Sequence, residues 1–258
     1  DVYKRQLMGL ARECGARPFI MGNGTNLLIP DRGLDRLVIR TAGEMSDVRL
    51  TGETVIEADA GISLSRLALF AQSQALTGLE FAHGIPGSLG GAVFMNAGAY
   101  GGEMKQVVQE VIVLTEDGIR HIPGAECAFG YRKSAFSDGK TVILGAKLHL
   151  KKGDPAQIRD KMAELMAKRK ASQPLEYPSA GSTFKRPEGY YAGTLIQETG
   201  LKGLTVGGAQ ISEKHAGFVI NTGGATCADV MALIAQVQDR VMQRSGVHLE
   251  PEVRIIEN

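Results

Sequence analysis

Residues 84–102 read GIPGSLGGAVFMNAGAYGG. Seven of its 19 positions are Gly, and Asn96 is almost the only strongly polar side chain in it. A Gly inside a regular element costs roughly 0.5–1 kcal/mol relative to Ala, so seven together require a reason. One reason is a set of tight turns between buried strands. The other is a main-chain surface lying directly against a flat or phosphate-bearing ligand, since Gly permits close approach and successive N–H groups form anion-binding nests.

A second short loop favours the ligand. GNGTNLL (22–28) follows the strand-like RPFIM, and Asn23, Thr25 and Asn26 add small polar groups. A strand, a Gly/Asn loop and then apolar residues make a good diphosphate seat. The loop lacks the GK[ST] of a Walker loop. It also lacks the third Gly of the dinucleotide fingerprint, because Leu27 stands there, and no crossover helix follows.

Outward from these loops, the first 150 residues mix short β-branched strand candidates with Gly-rich connections. The candidates are RPFIMG, DRLVIRT, ETVIEADA, EVIVLT, IRHI and KTVILGAKLHL. EDG (116–118) reads as a hairpin turn. SLSRLALFAQSQAL (63–76) reads as a helix capped by Ser63, with Leu64, Leu67, Ala68 and Ala71 on one face. The texture then changes. PAQIRDKMAELMAKRKAS (155–172) is an amphipathic helix with Ile158, Met162, Leu165 and Met166 inward, and a second helix starts at Thr226 with Val230, Ile234, Val237 and Val241 at helical spacing. VHLEPEVRII alternates like a strand. KKGDP breaks the pattern, so the expected domains are 1–152 and 153–258.

Composition narrows the function. The net charge of +1 points to neither nucleic acid nor an anionic membrane, and no apolar run approaches the ~20 residues of a membrane span. Cys14, Cys127 and Cys227 are far apart with no metal-ligand spacing, so they read as three reduced thiols of a cytoplasmic protein, with no metal site.

GNGTNLLI, GLEFAHGIPGSLGGAVFMNAGAYG, FGYRKSAF, PSAGSTFKRPEGYYAG, GGAQISEKHAGFVIN and LEPEVRII occur here in the order found in the UDP-N-acetylenolpyruvoylglucosamine reductase family, which the chain resembles over nearly its whole length. The resemblance implies an α+β protein: an FAD-binding domain of the vanillyl-alcohol oxidase type, then a smaller α+β substrate-binding domain. It implies non-covalent FAD, with NADPH as co-substrate. The implied reaction reduces UDP-N-acetylglucosamine enolpyruvate to UDP-N-acetylmuramate in peptidoglycan precursor synthesis, by a monomer, and so serves cell-wall growth, cell shape and division. FAD would rest on Gly22, Asn23, Gly24, Thr25 and Asn26, and on Gly84, Ile85, Pro86, Gly87, Ser88, Gly90, Gly91, Asn96, Ala97 and Gly98.

Hydride addition at C3 of an enolpyruvyl group gathers negative charge on C2 and the carboxylate. The site therefore needs cations or donors there, and one proton source. By motif match Arg132 would bind the carboxylate, since a guanidinium forks onto two oxygens; the plain alternative is a surface Arg. Ser182 would protonate C2; the plain alternative is a turn Ser. Glu252 would complete the trio. Strand alternation puts Glu250 on the same face, and only the Pro-Glu-Val match selects Glu252. Tyr131, Lys185, Arg186, Gln210 and His215 are the expected substrate contacts, with Lys214 a further one, while Tyr190 and Tyr191 read as packing.

About twenty residues precede RPFIMGNGTNLL, where family members carry a few dozen, so the N-terminal part of the flavin domain is expected to be missing. The short spacing before PSAGSTF resembles the shorter of the family's two subtypes. Two competing readings are another FAD-dependent oxidase on the same fold, with His83 as a covalent attachment point, and an inactive nucleotide-binding fragment.

Overall fold

The structure is a computed structural model that describes residues 14–15, 18–43, 45–139 and 141–257. The expectation about the N-terminal part concerns residues outside this set. By its contacts the chain divides into two compact units. One holds residues up to Gly24 and Arg36–Lys168; the other holds Thr25–Asp35 and Arg169–Asn258.

In the first unit, a short parallel pair joins β1 (Phe19–Met21) to β3 (Val38–Arg40), with β2 (Leu27–Leu28) between them in sequence but in the other unit. The main sheet is antiparallel and five-stranded. It contains β4 (Val48–Leu50), β5 (Val55–Asp59), β9 (Val108–Thr115), β10 (Gly118–Pro123) and β11 (Val142–His149), in the order β10-β9-β11-β5-β4. The hairpin read from EDG joins β9 to β10, with Thr115 opposite Gly118. Smaller pairs are β6 (Leu76–Thr77) with β12 (Lys151–Lys152), and β7 (Gly98–Ala99) with β8 (Gly102–Glu103).

Helix α1 (Leu64–Ser73) begins as its sequence dictates: the Ser63 hydroxyl accepts from the Arg66 N–H at 3.2 Å. It buries Leu64, Leu67, Ala68 and Ala71, the face read from periodicity. Each Leu so buried contributes about 1.5–3 kcal/mol. These residues join Ile56, Val111, Val113 and Leu148 of the sheet in one core. Helix α2 (Leu89–Met95) carries the Gly-rich stretch into the same core through Leu89, Ala92 and Val93.

A row of alternating charge crosses the five strands: Arg49, Glu57, Lys147, Glu110 and His121. Arg49 is opposite Glu57, Glu57 opposite Lys147, and Lys147 opposite Glu110. Arg49 pairs with Glu57, Lys147 lies 2.9 Å from Glu110, and His121 Nδ1 lies 2.7 Å from the same carboxylate. Opposite charges on directly facing residues stabilise a sheet modestly.

Helix α3 (Pro155–Ser172) forms over the expected residues, with Ile158, Met162 and Leu165 buried and Met166 half-buried. Arg169 is also buried. The contact division at 168/169 follows from two facts. β12 pairs with β6, and Ile158 and Met162 fill the first core.

The second unit is built on an antiparallel sheet of β13 (Ser179–Ser182), β16 (Phe218–Asn221), β15 (Ala209–Ile211) and β14 (Thr205–Val206), in that order. Helices α4 (Ala192–Glu198) and α5 (Cys227–Ser245) bury Leu195, Ile196, Leu233, Ile234, Val237 and Val241 in its core. A capping box forms at Thr226, since Asp229 N donates to Thr226 Oγ1 and Thr226 N to the Asp229 carboxylate. Asp31, from the segment contributed by the early chain, accepts from Cys227 N at 2.8 Å.

The expected strand over 247–256 shrinks to β17 (Arg254–Ile255), parallel to β2, plus a single bridge between Pro251 and Phe184. Pro251 has no N–H to continue a ladder, so the segment divides between two partners.

Candidate active site

The two Gly loops meet in the first unit. Asn23 Nδ2 donates to Pro86 O at 3.2 Å, and Gly22 lies so close to Ser88 that a β-carbon at Gly22 would overlap the Ser88 hydroxyl. Main-chain bonds set the second loop: Leu64 N donates to Gly87 O, Leu89 N to Ile62 O at 2.9 Å, and Gly90 N to Ala60 O at 2.8 Å. Ser88 is 1% exposed, and its Oγ has no hydrogen-bond partner among the described residues. A buried hydroxyl left unpaired costs about 1–3 kcal/mol. A cradle of close main chain with one orphaned donor fits a phosphate-bearing group.

Not every Gly of the stretch serves a ligand. Gly102 lies against the Phe81 ring, leaving no room for a side chain. Asn96 is likewise occupied within the protein. It sits in a left-handed conformation at the end of α2, 1% exposed, with Nδ2 donating to Gly130 O at 3.0 Å and to Glu103 at 3.1 Å, and Oδ1 accepting from Lys105 N at 2.8 Å. Its link to Gly130 tethers the turn that carries Tyr131 and Arg132. Gly130 and Lys133 exchange both main-chain bonds across that turn, and Arg132 has φ +55°. The Arg132 guanidinium donates to Gly98 O at 3.2 Å and lies 5.0 Å from the Tyr131 ring centroid.

In the second unit, buried Thr183 joins three segments. Its N–H donates to Gly217 O at 2.8 Å, its hydroxyl accepts from Val219 N at 3.0 Å, and its carbonyl accepts from Glu252 N at 2.8 Å. Ser182 and Glu252, 70 positions apart in sequence, are thereby brought next to the same residue. Both are half-buried. Asn26 braces Glu252 from behind: its Nδ2 donates to Glu252 O at 3.1 Å, and its carbonyl accepts from Arg254 N at 3.0 Å. Glu250 is distinguished from Glu252 by its partner, since it forms an ion pair with Lys185. His215 lies in the turn between β15 and β16, on the Ser182 side of the sheet, with its Nδ1 accepting from Gly217 N at 3.1 Å. Burial, aided by the charge of Lys202, pulls its pKa below the ordinary 6.5, against the opposing effect of its own main-chain hydrogen bond.

Other expected contacts have partners of their own. Gln210 donates to Thr205 Oγ1 at 3.0 Å across β14 and β15, and Lys214 Nζ donates to Lys170 O at 2.8 Å. Tyr190 and Tyr191 are exposed rather than packed. Tyr191 lies 3.9 Å beneath the Arg186 guanidinium, and Arg186 Nε donates to Tyr190 O at 3.2 Å. Arg132 and all the expected FAD residues except Thr25 and Asn26 belong to the first unit; Ser182 and Glu252 belong to the second. The sequence analysis named Ser88 among the FAD contacts but did not name Thr183 as an organising group. Thr183 directly follows the strand SAGS, and no local pattern marks it out.

Residues 5–122 match the family described as FAD binding domain, and residues 173–256 match UDP-N-acetylenolpyruvoylglucosamine reductase, C-terminal domain. The chain is 51% identical to the UDP-N-acetylenolpyruvoylglucosamine reductase of Caldanaerobacter subterraneus over 92% of its length and 78% of that protein. It is 50% identical to the enzyme of the same name from Pediococcus pentosaceus, over 98% and 84%. The crystal structure of UDP-N-acetylenolpyruvylglucosamine reductase (MurB) from Thermus caldophilus superposes with a TM-score of 0.85 at 40% identity, covering 96% of this chain and 88% of that one. The fold class is the expected α+β, with the FAD-binding domain first, and the Ser88 cradle suits the FAD diphosphate. On these grounds the chain belongs to the UDP-N-acetylenolpyruvoylglucosamine reductase family.

Proposed function

We propose that this protein reduces the enolpyruvyl group of UDP-N-acetylglucosamine enolpyruvate to give UDP-N-acetylmuramate, with FAD held non-covalently and NADPH as the electron source. The reaction belongs to peptidoglycan precursor synthesis and so serves cell-wall growth, cell shape and division. The protein acts as a cytoplasmic monomer. The observation that carries the reading is the convergence of Ser182 and Glu252 on Thr183, within the region matching the family's C-terminal domain.

FAD would rest on the 22–26 and 84–98 loops, with the Ser88 hydroxyl donating to its diphosphate and Asn96 holding the loop in shape. When bound, it supplies the hydride that reaches C3 of the substrate. The protein manages the charge that follows. Arg132 receives the substrate carboxylate in its fork and stabilises the electron pair as it spreads from C2. The Ser182 Oγ–H gives its proton to C2, which completes the two-electron reduction of the double bond. A Ser hydroxyl is a weak acid, so Glu252, whose N–H donates to Thr183 O, would orient the donor. Lys185 and Arg186 serve the substrate diphosphate, and Tyr131 and Gln210 contact the nucleotide sugar.

Stopped-flow absorbance separates the two half-reactions. Ser182→Ala is expected to leave flavin reduction by NADPH intact and to slow reoxidation by the enolpyruvyl nucleotide about 100-fold or more, the usual scale for losing a positioned proton donor. Equal losses in both halves would refute the proton-donor role.

A further inference from the structure

The turn between β15 and β16 is organised around His215 in a way that substrate contact alone does not require. His215 N and Lys214 N both donate to the hydroxyl of buried Ser212 at 3.2 Å. The His215 ring meets Phe218 edge-on, with centroids 4.9 Å apart. Its Nδ1 accepts from Gly217 N at 3.1 Å, while the carbonyl of Gly217 accepts from Thr183 N at 2.8 Å. A β-carbon placed on Gly217 would lie 3.0 Å from His215 Cε1 and 3.7 Å from Ser182 Oγ. Imidazole and hydroxyl therefore flank one α-carbon.

This geometry fixes the chemical state of the ring. An N–H aimed at Nδ1 requires a lone pair there, so the ring is neutral and its proton sits on Nε2. An imidazolium would set Nδ1–H against the Gly217 N–H and break the bond. Burial of the ring favours the same neutral form.

We infer that His215 is a positioning residue for Ser182: through Nδ1 it holds Gly217, Gly217 holds Thr183, and the main chain at Thr183 aims the Ser182 hydroxyl. The inference rests on the reading of Ser182 as the proton donor. It assigns the function of the ring to the nitrogen facing the protein rather than to a contact between Nε2 and substrate.

Two near-isosteric replacements separate these roles. Asn can place its amide oxygen where Nδ1 sits, and Gln can place its amide nitrogen where Nε2 sits. FAD-loaded full chains carrying His215→Ala, His215→Asn, His215→Gln and Ser182→Ala would be compared in both half-reactions at varied substrate, with flavin content and melting temperature recorded for each. Flavin reduction by NADPH is expected to be unchanged throughout. At saturating substrate, His215→Ala should slow reoxidation about 10- to 100-fold, the scale of a modest misplacement of a reacting group. His215→Asn should restore most of that rate, His215→Gln should not, and KM should change little. Rescue by Gln but not Asn, or a raised KM with an unchanged limiting rate, would overturn the inference in favour of direct substrate contact. Reoxidation at the unmodified rate in His215→Ala, with Ser182→Ala slow, would overturn it while leaving Ser182 as the donor. Unmodified reoxidation in Ser182→Ala would remove both.

Discussion

Arg132 occupies a left-handed conformation that a non-glycine residue adopts at a cost of about 1–2 kcal/mol. The surroundings enforce it through the reciprocal Gly130–Lys133 bonds, the Asn96 amide on Gly130 O and the guanidinium on Gly98 O. This separates what Arg132 does for chemistry from what it costs the fold. Arg132→Gly should leave stability unchanged or raise it, while slowing reoxidation by substrate about 100- to 1000-fold, the scale of losing one charge-stabilising donor. Arg132→Lys, which keeps the charge but not the fork, should fall between the two. Thermal melts read beside single-turnover reoxidation check both, and full activity in either variant would remove Arg132 from the mechanism. Asn96 makes the opposite prediction. Its truncation to Ala leaves Lys105 N and Gly130 O without their side-chain partner, so urea unfolding should show a loss of about 2–3 kcal/mol. FGYRKS was legible as a motif, and Arg132 could be named from it. That the turn is held by Asn96, 34 positions before Gly130, was not, because nothing local in either segment encodes the pairing.

At the scale of elements, the local signals were the readable ones. Ser63 and Thr226 cap the helices that their sequences announce, and EDG makes the hairpin. The segment 247–256 misled because alternation reports two faces, not a partner. Pro251 interrupts any single ladder, so Glu252 is placed by Thr183 and Asn26 instead. The charged row on the five-stranded sheet yields a pH prediction. His121 first, and then Lys147, hold the Glu110 carboxyl below its ordinary pKa of 4.5. With the folded pKa below the unfolded one, the unfolded chain takes up more protons as acid is added. The ionised Glu110 carboxylate therefore adds its stability above about pH 4.5, and that contribution is lost as pH falls through the folded pKa. Glu110→Gln should abolish that part of the acid dependence of the melting temperature, and an unchanged profile would show that the row contributes nothing.

For the whole molecule, class and activity were legible because six motifs keep their order across the chain, and order survives where spacing does not. The division into units was not legible. KKGDP is a real break in texture, yet β12 just before it pairs with β6, and α3 just after it adds Ile158 and Met162 to the first core. Nor did any local pattern reveal that 25–35 joins the second unit, since β2 is two residues long and its partner β17 is reached only in the fold. That crossing sets a timetable for the chain as it is made. Asn26 leaves the ribosome 226 residues ahead of Glu252, the residue it braces, a lag of about 10–50 s at ordinary rates of synthesis. Through that interval the early strand and the Asp31 carboxylate wait for partners not yet made, while the five-stranded sheet has all its strands once His149 is made, 103 residues before Glu252. The half of the molecule expected to hold the flavin can thus form its sheet during translation, and the half carrying Ser182 and Glu252 can close only afterwards.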